Sequence, residues 1–514
     1  MRDDDAYRVH LNAGSGQDPY EARLESPGPS ALPEGPFCLG ILGDFSGRGS
    51  WVEVPMDPRG GDGASAAQGL HTRPLVRVTP ENVLQFGGLT PTVQIGVEGR
   101  ESGREGVTFS SLEDFHPDAL FRRLAALEVH RSARDRLLSP ESEAGREAGP
   151  KGESGAGLLD AVLEETEDEF AAEGAGLDDD LDGFIRRVVR PHRVESGPDR
   201  TQEVAALDTE ISRALSGILH DPGFQSLESL WRSVVFLLSR IEVKTSLRVY
   251  LIDVSKSDLV ADLLSSDDPT DWSLGGLILN PVSEHGEELR WAGLVGAYTF
   301  GLGDEDIPLL QRIGLLAEAA EVPWFSAGDS ALLGCDSMDA TPEPRDWDEA
   351  VDPLWPELRG NPEASWISLA FPAFLLRTPY GTEGRGAKTF AFTESVEGSE
   401  DLLWGNPAIL CGIGLARAFT TSGWGLRPSL QLSVENVPVF NPEVGWREQE
   451  GPGGQEGWAS PLRGLLSHSA AARVRDSGLT PVLGARNEAV LRVQGVRTIS
   501  TGENALRAWW IGST

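Results

Sequence analysis

The sequence is poor in cysteine and lacks long apolar runs. Its 514 residues include three cysteines, Cys38, Cys335 and Cys411, which lie far apart. An odd number of widely separated cysteines argues against a disulfide framework and is typical of a protein in a reducing compartment. No run of about 18 apolar residues occurs, which argues against a membrane-spanning helix. The first residues, MRDDDAYRVH, lack the apolar stretch of a signal peptide. We therefore expect a cytoplasmic protein without membrane insertion.

Basic residues are also scarce relative to acidic ones. The chain has 44 Lys and Arg against 80 Asp and Glu, a formal net charge of −36. A surface with this excess of negative charge repels nucleic acid and anionic membranes. We expect no nucleic-acid partner, and high solubility or a basic partner instead.

The usual catalytic and metal-binding motifs are absent from the sequence. The eight histidines are scattered and form no HExxH pair, and neither CxxC nor GxSxG occurs. Neighbouring acids such as Asp304 and Asp306 stand where a helix begins, a position that favours negative charge. The residues therefore predict no catalytic, metal or cofactor site, and a packing or assembly protein rather than an enzyme.

One stretch, CLGILGDFSGRGS from Cys38 to Ser50, has the look of a strand that enters a phosphate-binding loop. A Walker loop needs a Lys followed by Ser or Thr, and the Gly43–Gly49 loop contains no Lys. Pro55 and Pro58 follow, which argues against the helix that a dinucleotide fingerprint opens. The stretch favours a buried strand that leaves through a glycine turn, with a phosphate-binding enzyme as the less favoured alternative.

Hydrophobic periodicity predicts a mixture of helices and strands, an α+β or mixed α/β fold. Apolar runs predict buried strands at Phe37–Leu42, in LRVYLIDVS and in WAGLVGAYTFG. Thr79 and Pro80 are expected to begin a helix, as is Pro117. The sequence His220-Asp221-Pro222-Gly223 is expected to interrupt a long helical pattern, with the second helix beginning near Gln225. The final ALRAWWIG is expected to be a strand.

Composition divides the chain into four predicted parts. Residues 1–137 read as a small α/β unit, and 138–157 are a Gly-, Ser- and Glu-rich flexible linker. Residues 158–207 form an acidic helical segment, and 208–514 form the large domain. Within the acidic segment, the residues Leu158, Leu159, Val162 and Leu163 make an apolar helical stripe. The stripe fits either a surface helix on its own domain or a helix that docks in a partner's groove.

Three long motifs follow one another in the large domain. The first is a helix-breaking HxPxFQxLExxWR pattern, and it is followed by an RxPYG turn and a WGNP turn. Their main residues are His220, Pro222, Phe224, Trp231, then Arg377, Pro379, Tyr380, Gly381, then Trp404, Gly405, Asn406 and Pro407. In this order the motifs resemble the large sheath subunit of type VI secretion systems, and we expect these residues to be structural.

The first part of the chain is similar to the small sheath subunit. PFCLGILGDFSGR and PLVRVTPENVLQF carry this likeness, as does an LxDFxP turn formed by Leu112, Asp114, Phe115 and Pro117. The family usually makes two chains, whereas here both segments occur in one. The resemblance identifies the Gly43–Gly49 loop as the turn after a sheath-subunit strand.

The resemblance implies a mechanism and a set of partners. Protomers of a bacterial, cytoplasmic sheath would self-assemble helically around an inner tube of Hcp-like protein on a baseplate. Terminal strands (candidates are Tyr7–Asn12, Val490–Ile499 and Ala505–Gly512) would be exchanged between protomers. Contraction would drive the tube and spike out of the cell, and a ClpV-like AAA+ ATPase would then dismantle the sheath by gripping the helix near Leu158. A sheath of another contractile injector, or a tubular scaffold that does not contract, remains an alternative.

Overall fold

The computed structural model describes residues 35–51, 70, 73–96, 104–139, 200–280, 282–284, 287–338, 341–348, 352–381, 386–426, 431–441, 459–502 and 505–511. The acidic segment up to residue 199 and the predicted strand Tyr7–Asn12 lie outside these ranges, as does nearly all of the linker. None of the helices in these ranges combines the length and hydropathy that spanning a bilayer requires.

A nine-stranded mixed sheet forms the centre of the molecule, and the predicted mixture of helices and strands is confirmed. Its strand order is β13-β15-β14-β10-β9-β8-β1-β5-β2. The strands are β1 Phe37–Gly43, β2 Val76–Val78, β5 Leu247–Asp253, β8 Trp291–Phe300, β9 Trp324–Gly328, β10 Ile367–Phe371, β13 Gln431–Glu435, β14 Leu479–Leu483 and β15 Val490–Gln494. Three two-stranded antiparallel sheets are β3 Thr92–Gly96 with β4 Arg104–Thr108, β6 Val282–Glu284 with β7 Glu287–Leu289, and β11 Phe374–Leu375 with β12 Trp404–Gly405.

The six strands β14, β10, β9, β8, β1 and β5 run parallel. The apolar runs predicted as strands fall among them, because a parallel strand with helices on both faces buries every side chain. At the other end of the sheet, β13 alternates exposed and buried residues and pairs antiparallel with β15. This alternation is typical of a strand with one face in solvent.

Helices cover both faces of the sheet. They are α1 Pro117–Arg123, α2 Glu128–Leu138, α3 Arg200–Leu219, α4 Pro222–Leu238, α5 Lys256–Leu263, α6 Ser273–Ile278, α7 Asp306–Ala320, α8 Leu354–Gly360, α9 Ala408–Ser422 and α10 His468–Asp476. Alternate residues of β1 enter two different cores: Leu39 and Ile41 pack in the core with α4 and α9, whereas Cys38 and Leu42 pack in the core with α5 and α7. This placement follows from the two-residue period of a strand.

Strand β1 belongs to the predicted small unit but lies in the middle of the sheet of the large one. It pairs with β5 from Phe37↔Leu247 to Gly43↔Asp253 and with β8 on its other side. The described parts of residues 1–137 and 208–514 therefore share one sheet and both of the cores that flank it. The domain division itself stays a prediction.

The residues after Thr79 depart from the predicted helix. Only a 3-10 turn forms, at Val83–Gly88, and it includes left-handed backbone at Phe86 and Gly87. Thr79 does not act as an N-cap; its N–H instead donates to Asn82 Oδ1 at 2.8 Å, and Asn82 Nδ2 donates to the Arg77 carbonyl. The asparagine side chain thus replaces the helical pattern with a local turn.

The helix break at His220–Gly223 is confirmed, although the second helix begins at Pro222 rather than near Gln225. Asp221 is its N-cap, and its Oδ1 accepts from the N–H groups of Gly223 and Phe224 at 3.0 and 3.1 Å. Proline has no N–H group that needs a partner, so it is favoured at the first position of a helix. Asp221-Pro222 therefore ends α3 and also begins α4.

The last predicted strand does not form. The described residues 505–511 of ALRAWWIG run as turn and irregular backbone, and they dock through two indole rings. Trp509 Nε1 donates to the Trp291 carbonyl at 2.7 Å, and Trp510 Nε1 donates to the Ala292 carbonyl at 2.8 Å. Apolar content alone predicted a strand. The segment is instead held in place by hydrogen bonds from its two indole N–H groups to backbone carbonyls.

Candidate functional site

The loop after β1 uses its backbone donors internally. Asp44 accepts from the N–H groups of Arg48 and Gly49 at 2.9 and 2.7 Å, and Asp253 Oδ1 accepts from Ser46 N at 3.0 Å. Burial raises the pKa of Asp44, and the nearby charge of Asp253 raises it further. A phosphate cradle needs free N–H groups and little negative charge. This loop therefore lacks the features that would hold a phosphate.

The same loop is fitted tightly against its neighbours. Gly47 has φ +74°, and a Cβ there would lie 2.2 Å from the Thr92 carbonyl oxygen. Trp231 Nε1 of α4 donates to the Phe45 carbonyl at 3.1 Å, and the two rings meet edge to face. The loop thus joins the first segment of the chain to the first motif of the large domain.

The most distinctive polar feature is a buried cluster of four charges, Glu228, Arg232, Arg377 and Glu394. Arg377 Nη1 lies 2.7 Å from Glu394 Oε2, and Arg377 Nε lies 3.1 Å from Glu228 Oε1. Arg232 Nε lies 2.6 Å from the same Glu228 oxygen. Glu228 is 0%, Glu394 5% and Arg377 6% exposed. Two cations and two anions balance, which is what so dry a site requires.

Charge pairing sets the pKa values in this cluster. Burial by itself raises the pKa of Glu394, but the Arg377 charge and hydrogen bonds from His220 and the Tyr380 N–H hold it below its ordinary value. Burial lowers the pKa of Arg377, yet the charges of Glu228 and Glu394 outweigh burial and raise it. Glu394 and Arg377 therefore stay ionised at neutral pH, and their ion pair is a permanent structural tie.

The cluster joins two of the three sequence motifs. His220 Nε2 lies 3.3 Å from Glu394 Oε1, and its Nδ1 lies 3.3 Å from Asp401 Oδ1. Tyr380 of the RxPYG turn donates its N–H to Glu394 at 2.8 Å, and its hydroxyl accepts from Arg232 at 3.0 Å. The structure thus brings His220 beside Arg377 and Tyr380, with Pro379 and Gly381 completing the turn.

The third motif lies apart from this cluster. Asn406 Nδ2 donates to the Tyr298 carbonyl at 2.9 Å, and its Oδ1 accepts from Ala408 N at 2.9 Å, at the start of α9. Trp404 is only half-buried, so replacing it with Ala would cost less than at a fully buried site. Gly405 pairs with Phe374 in the two-stranded sheet of β11 and β12, and Pro407 precedes α9. These residues border a cavity at the end of the sheet.

Aromatic rings connect the LxDFxP turn of the first segment to α4. Phe115 stacks on Phe109 at 4.4 Å between ring centroids, and Phe224 meets Phe115 edge to face at 5.5 Å. Further along, Asp118 accepts from the N–H groups of Lys388 and Thr389 at 2.9–3.1 Å. The two segments that resemble separate sheath subunits therefore meet through both rings and buried polar groups.

Sequence reasoning missed Glu394 and Asp118. Glu394 lies 174 positions from His220 and 17 from Arg377, and no motif includes it. Its partner Arg377 was singled out, and an arginine in an apolar stretch does signal a buried acid elsewhere, but not which one. The stripe of Leu158, Leu159, Val162 and Leu163 lies outside the described residues. Within the described ranges, no group of three or more His, Cys, Asp or Glu is arranged to hold a metal ion.

Comparison with known proteins agrees with the motifs of the large domain. Residues 201–440 match the model of the VipB family, described as EvpB/VC_A0108, tail sheath N-terminal domain. The type VI secretion system sheath protein TssC1 of Pseudomonas aeruginosa is 28% identical over 230 residues, 43% of this chain and 46% of that protein. The chain thus spans about half the length of the curated relative it matches. These similarities agree with the resemblance of the three motifs to a type VI sheath large subunit.

Proposed function

We propose that the protein is a structural subunit of a type VI secretion sheath in which a small-subunit segment and a large-subunit segment form one chain. The observation that carries the proposal is the position of β1. It lies between β5 and β8, inside the sheet of the region that is similar to the sheath domain. The first segment therefore supplies a central strand without which this sheet would be incomplete. A single chain fixes the ratio of the two segments at one to one.

The protomer would act mechanically rather than chemically. It polymerises around an Hcp-like inner tube on a baseplate in the cytoplasm, and contraction drives the tube and spike outward. The shared sheet and core suit this task because they tie both segments into one body that transmits force. The occupied donors of the Gly43–Gly49 loop count against the alternative of a phosphate-binding enzyme.

Electron microscopy of cells that make the full chain tests this function. Long hollow cylinders that occur in an extended and a shorter, wider state are the expected result. Tubes of uniform width would instead favour a scaffold that does not contract. Isothermal calorimetry with ATP and NAD addresses the enzyme alternative; saturable heats with either one would contradict a purely structural role.

Protomers would be linked by strands contributed from neighbours. Strand β15 has partners on both sides, β13 and β14, so it is not itself available for exchange. Among the described strands, β13 ends the sheet and is paired on one side, so Tyr7–Asn12 of a neighbour could add to its other edge. Removing Met1 to Gly14 should leave a soluble protomer that cannot polymerise. Sheaths of normal length from this deletion would refute the exchange.

Recycling would depend on the acidic segment. A ClpV-like ATPase would grip the stripe of Leu158, Leu159, Val162 and Leu163 in an apolar groove once contraction exposes it. Replacing Leu159 and Val162 with Asp should spare assembly and contraction but let contracted sheaths persist. Replacing Glu164 and Glu165 with Gln, on the polar face of the same segment, is the matched control. If contracted sheaths of the Asp variant are dismantled at the normal rate, the stripe belongs to a surface helix that packs on its own domain.

A further inference from the structure

A groove of about 660 Å³ runs along the end of β13. It is lined by residues 433–436 of this strand and its continuation, by residues 239–242 after α4, and by Arg417 of α9. None of the described lining residues belongs to β15, the strand that pairs with β13 on its other side. A strand that adds to the free edge of β13 would therefore lie in this groove.

Two arginines of the groove bond only neutral partners among the described residues. Arg240 donates from Nη1 to Ser239 Oγ at 2.9 Å and from Nη2 to the Asn436 carbonyl at 3.3 Å. Arg417 donates from Nε to the Arg240 carbonyl and from Nη1 to the Ser433 carbonyl, each at 3.0 Å. A carbonyl oxygen accepts two hydrogen bonds, so Ser433 can still receive the N–H of an added strand.

The positive charges of this pair are not balanced within the groove. Burial lowers the pKa of Arg240, and the charge of Arg417 lowers it further. Of the two acids that line the groove, Glu435 is exposed, and Glu242 is exposed and paired with Lys244. Hydrogen bonds from arginine to a carboxylate are about twice as strong as those between neutral groups. The two half-buried arginines therefore offer a site for carboxylates from outside the described residues.

The beginning of the chain carries matching charge beside a predicted strand. Residues 3–5 are three consecutive aspartates, and Arg2 is the only basic residue that precedes the strand. That strand, Tyr7–Asn12, is the one that the proposed exchange adds to β13. One segment of a neighbouring copy can therefore supply both a strand for the groove and carboxylates for its arginines.

The position of the arginines favours one direction for the added strand. Arg240 contacts the Asn436 carbonyl, just past the carboxyl end of β13, and Arg417 contacts Ser433 in the middle of the strand. An antiparallel strand begins beside the carboxyl end of β13, so the aspartates before it lie next to Arg240. A parallel strand begins beside Gln431, five residues or about 17 Å away.

We propose that Arg240 and Arg417 bind the aspartates at residues 3–5 of a neighbouring copy and thereby fix the added strand antiparallel to β13. This inference rests on the proposed strand exchange, which names the strand but neither its direction nor a receptor for its charge. The arginine pair makes the groove specific for an acidic segment.

Charge reversal in the full chain tests the contact. Asp3→Lys, Asp4→Lys and Asp5→Lys together should raise the protein concentration needed for sheath assembly about 10-fold or more, because like charges then meet in the groove. Adding Arg240→Glu to this triple variant should lower that concentration again by about 3-fold or more. Arg345→Glu is the matched control, because this side chain is 83% exposed and lies outside the groove, and it should not rescue. Sedimentation of assembled sheaths is the measurement.

Cysteine cross-linking gives the direction of the strand. The three natural cysteines are buried, so exposed engineered ones react selectively. In sheaths assembled from two differently tagged chains, Tyr7→Cys of one chain should cross-link to Glu435→Cys of the other. It should not cross-link to Gln431→Cys, which is equally exposed at the opposite end of β13.

Every other outcome overturns the proposal. A cross-link to Gln431→Cys shows a parallel strand, and a cross-link within one chain that carries both cysteines shows an intramolecular occupant. No cross-link at all, or equal assembly of the triple variant and the wild type, shows that the arginines do not receive the aspartates. Strand exchange itself would still stand if removing Met1 to Gly14 abolishes assembly.

Two further results are kept apart from these. If the wild-type chain forms no cylinders, the sheath function fails and this proposal fails with it. If circular dichroism shows that Arg240→Glu does not fold, the triple variant and the cross-links still decide.

Discussion

Glu394 balances a buried positive charge at the point where two sequence motifs meet. We expect Glu394→Gln to lower the free energy of unfolding by about 3–5 kcal/mol, because it leaves two arginines facing one carboxylate in a dry site. Urea unfolding followed by tryptophan fluorescence measures the loss. Glu397→Gln, at an exposed position on the same segment, should change stability by less than about 0.5 kcal/mol. Equal midpoints for the two variants would contradict a structural role of the cluster.

The same carboxyl makes stability depend on acid pH. The pKa of Glu394 is lower in the folded chain than its ordinary value of 4.5. Its contribution is therefore fully present above that value and is lost as the pH falls through the folded pKa, because the unfolded chain binds the proton first. We expect unfolding free energy to fall less steeply below pH 4.5 in Glu394→Gln than in the wild type. If the unfolding free energies of the two proteins fall equally steeply with decreasing pH, other carboxyls govern acid unfolding.

Gly381 shows a backbone requirement at a single residue. It has φ +88°, and a Cβ there would lie 2.6 Å from the Phe392 carbonyl oxygen. We expect Gly381→Val to destabilise the protomer by about 1–3 kcal/mol, since a branched residue at positive φ is strained and the neighbouring backbone at Phe392 must also shift. Gly386→Ala is the control, because the nearest atom to its Cβ would be 3.8 Å away. Thermal melts compare them; a catalytic turn would instead give a variant of normal stability.

At the scale of elements, the segment 505–511 is held by side chains rather than by strand pairing. Besides the two indole bonds, the Trp509 N–H donates to the Glu321 carbonyl at 2.8 Å, and Arg290 lies over its ring at 4.4 Å. These contacts place the segment at the amino end of β8, and Trp510 also packs near Phe37 of β1. The segment thus covers the amino-terminal ends of these two central strands, opposite the cavity.

Replacing Trp510, which is 4% exposed, tests this docking. We expect Trp510→Ala to cost about 3–5 kcal/mol through the lost packing and the cavity left behind. Trp510→Phe should cost less, since it keeps a ring and loses only the bond to the Ala292 carbonyl. Chemical denaturation of both variants gives the two values. If they are equal, the indole N–H rather than ring packing holds the segment.

At the scale of the whole molecule, contacts of several kinds join the two segments. Ring contacts, the Arg134–Asp208 pair at 2.8 Å and the pairing of β1 with β5 and β8 all cross between the segments. Because β1 is buried on both faces and paired on both edges, its removal would open the middle of the sheet.

We therefore expect the connection between the segments to be dispensable once the chain has folded. A protease site placed within residues 140–157 and cut after purification should leave two fragments that co-elute as a one-to-one complex and separate only in denaturant. Size-exclusion chromatography with gel analysis of the fractions is the measurement. The uncut chain with the same insertion is the control. Fragments that separate in native buffer would show that the linker itself holds the segments together.

The sequence by itself determined those features that depend on near neighbours. Continuous apolar runs specified β1, β5 and β8, and Asp221-Pro222 set the start of α4, because capping and burial on both faces are local requirements. The quoted motifs also indicated the large sheath subunit, with which the family match agrees.

Tertiary structure alone decided which of these features meet. The run at Phe37–Gly43 does not encode that its neighbours are β5 and β8, some 200 positions or more away. Nor does Arg377 encode Glu394 as its partner. Asn82 overrode a helical pattern, and two indole donors overrode a strand pattern at residues 505–511. Pairing, ion balance and cavities depend on contacts between distant positions, and a local pattern of polarity carries no information about which distant positions come together.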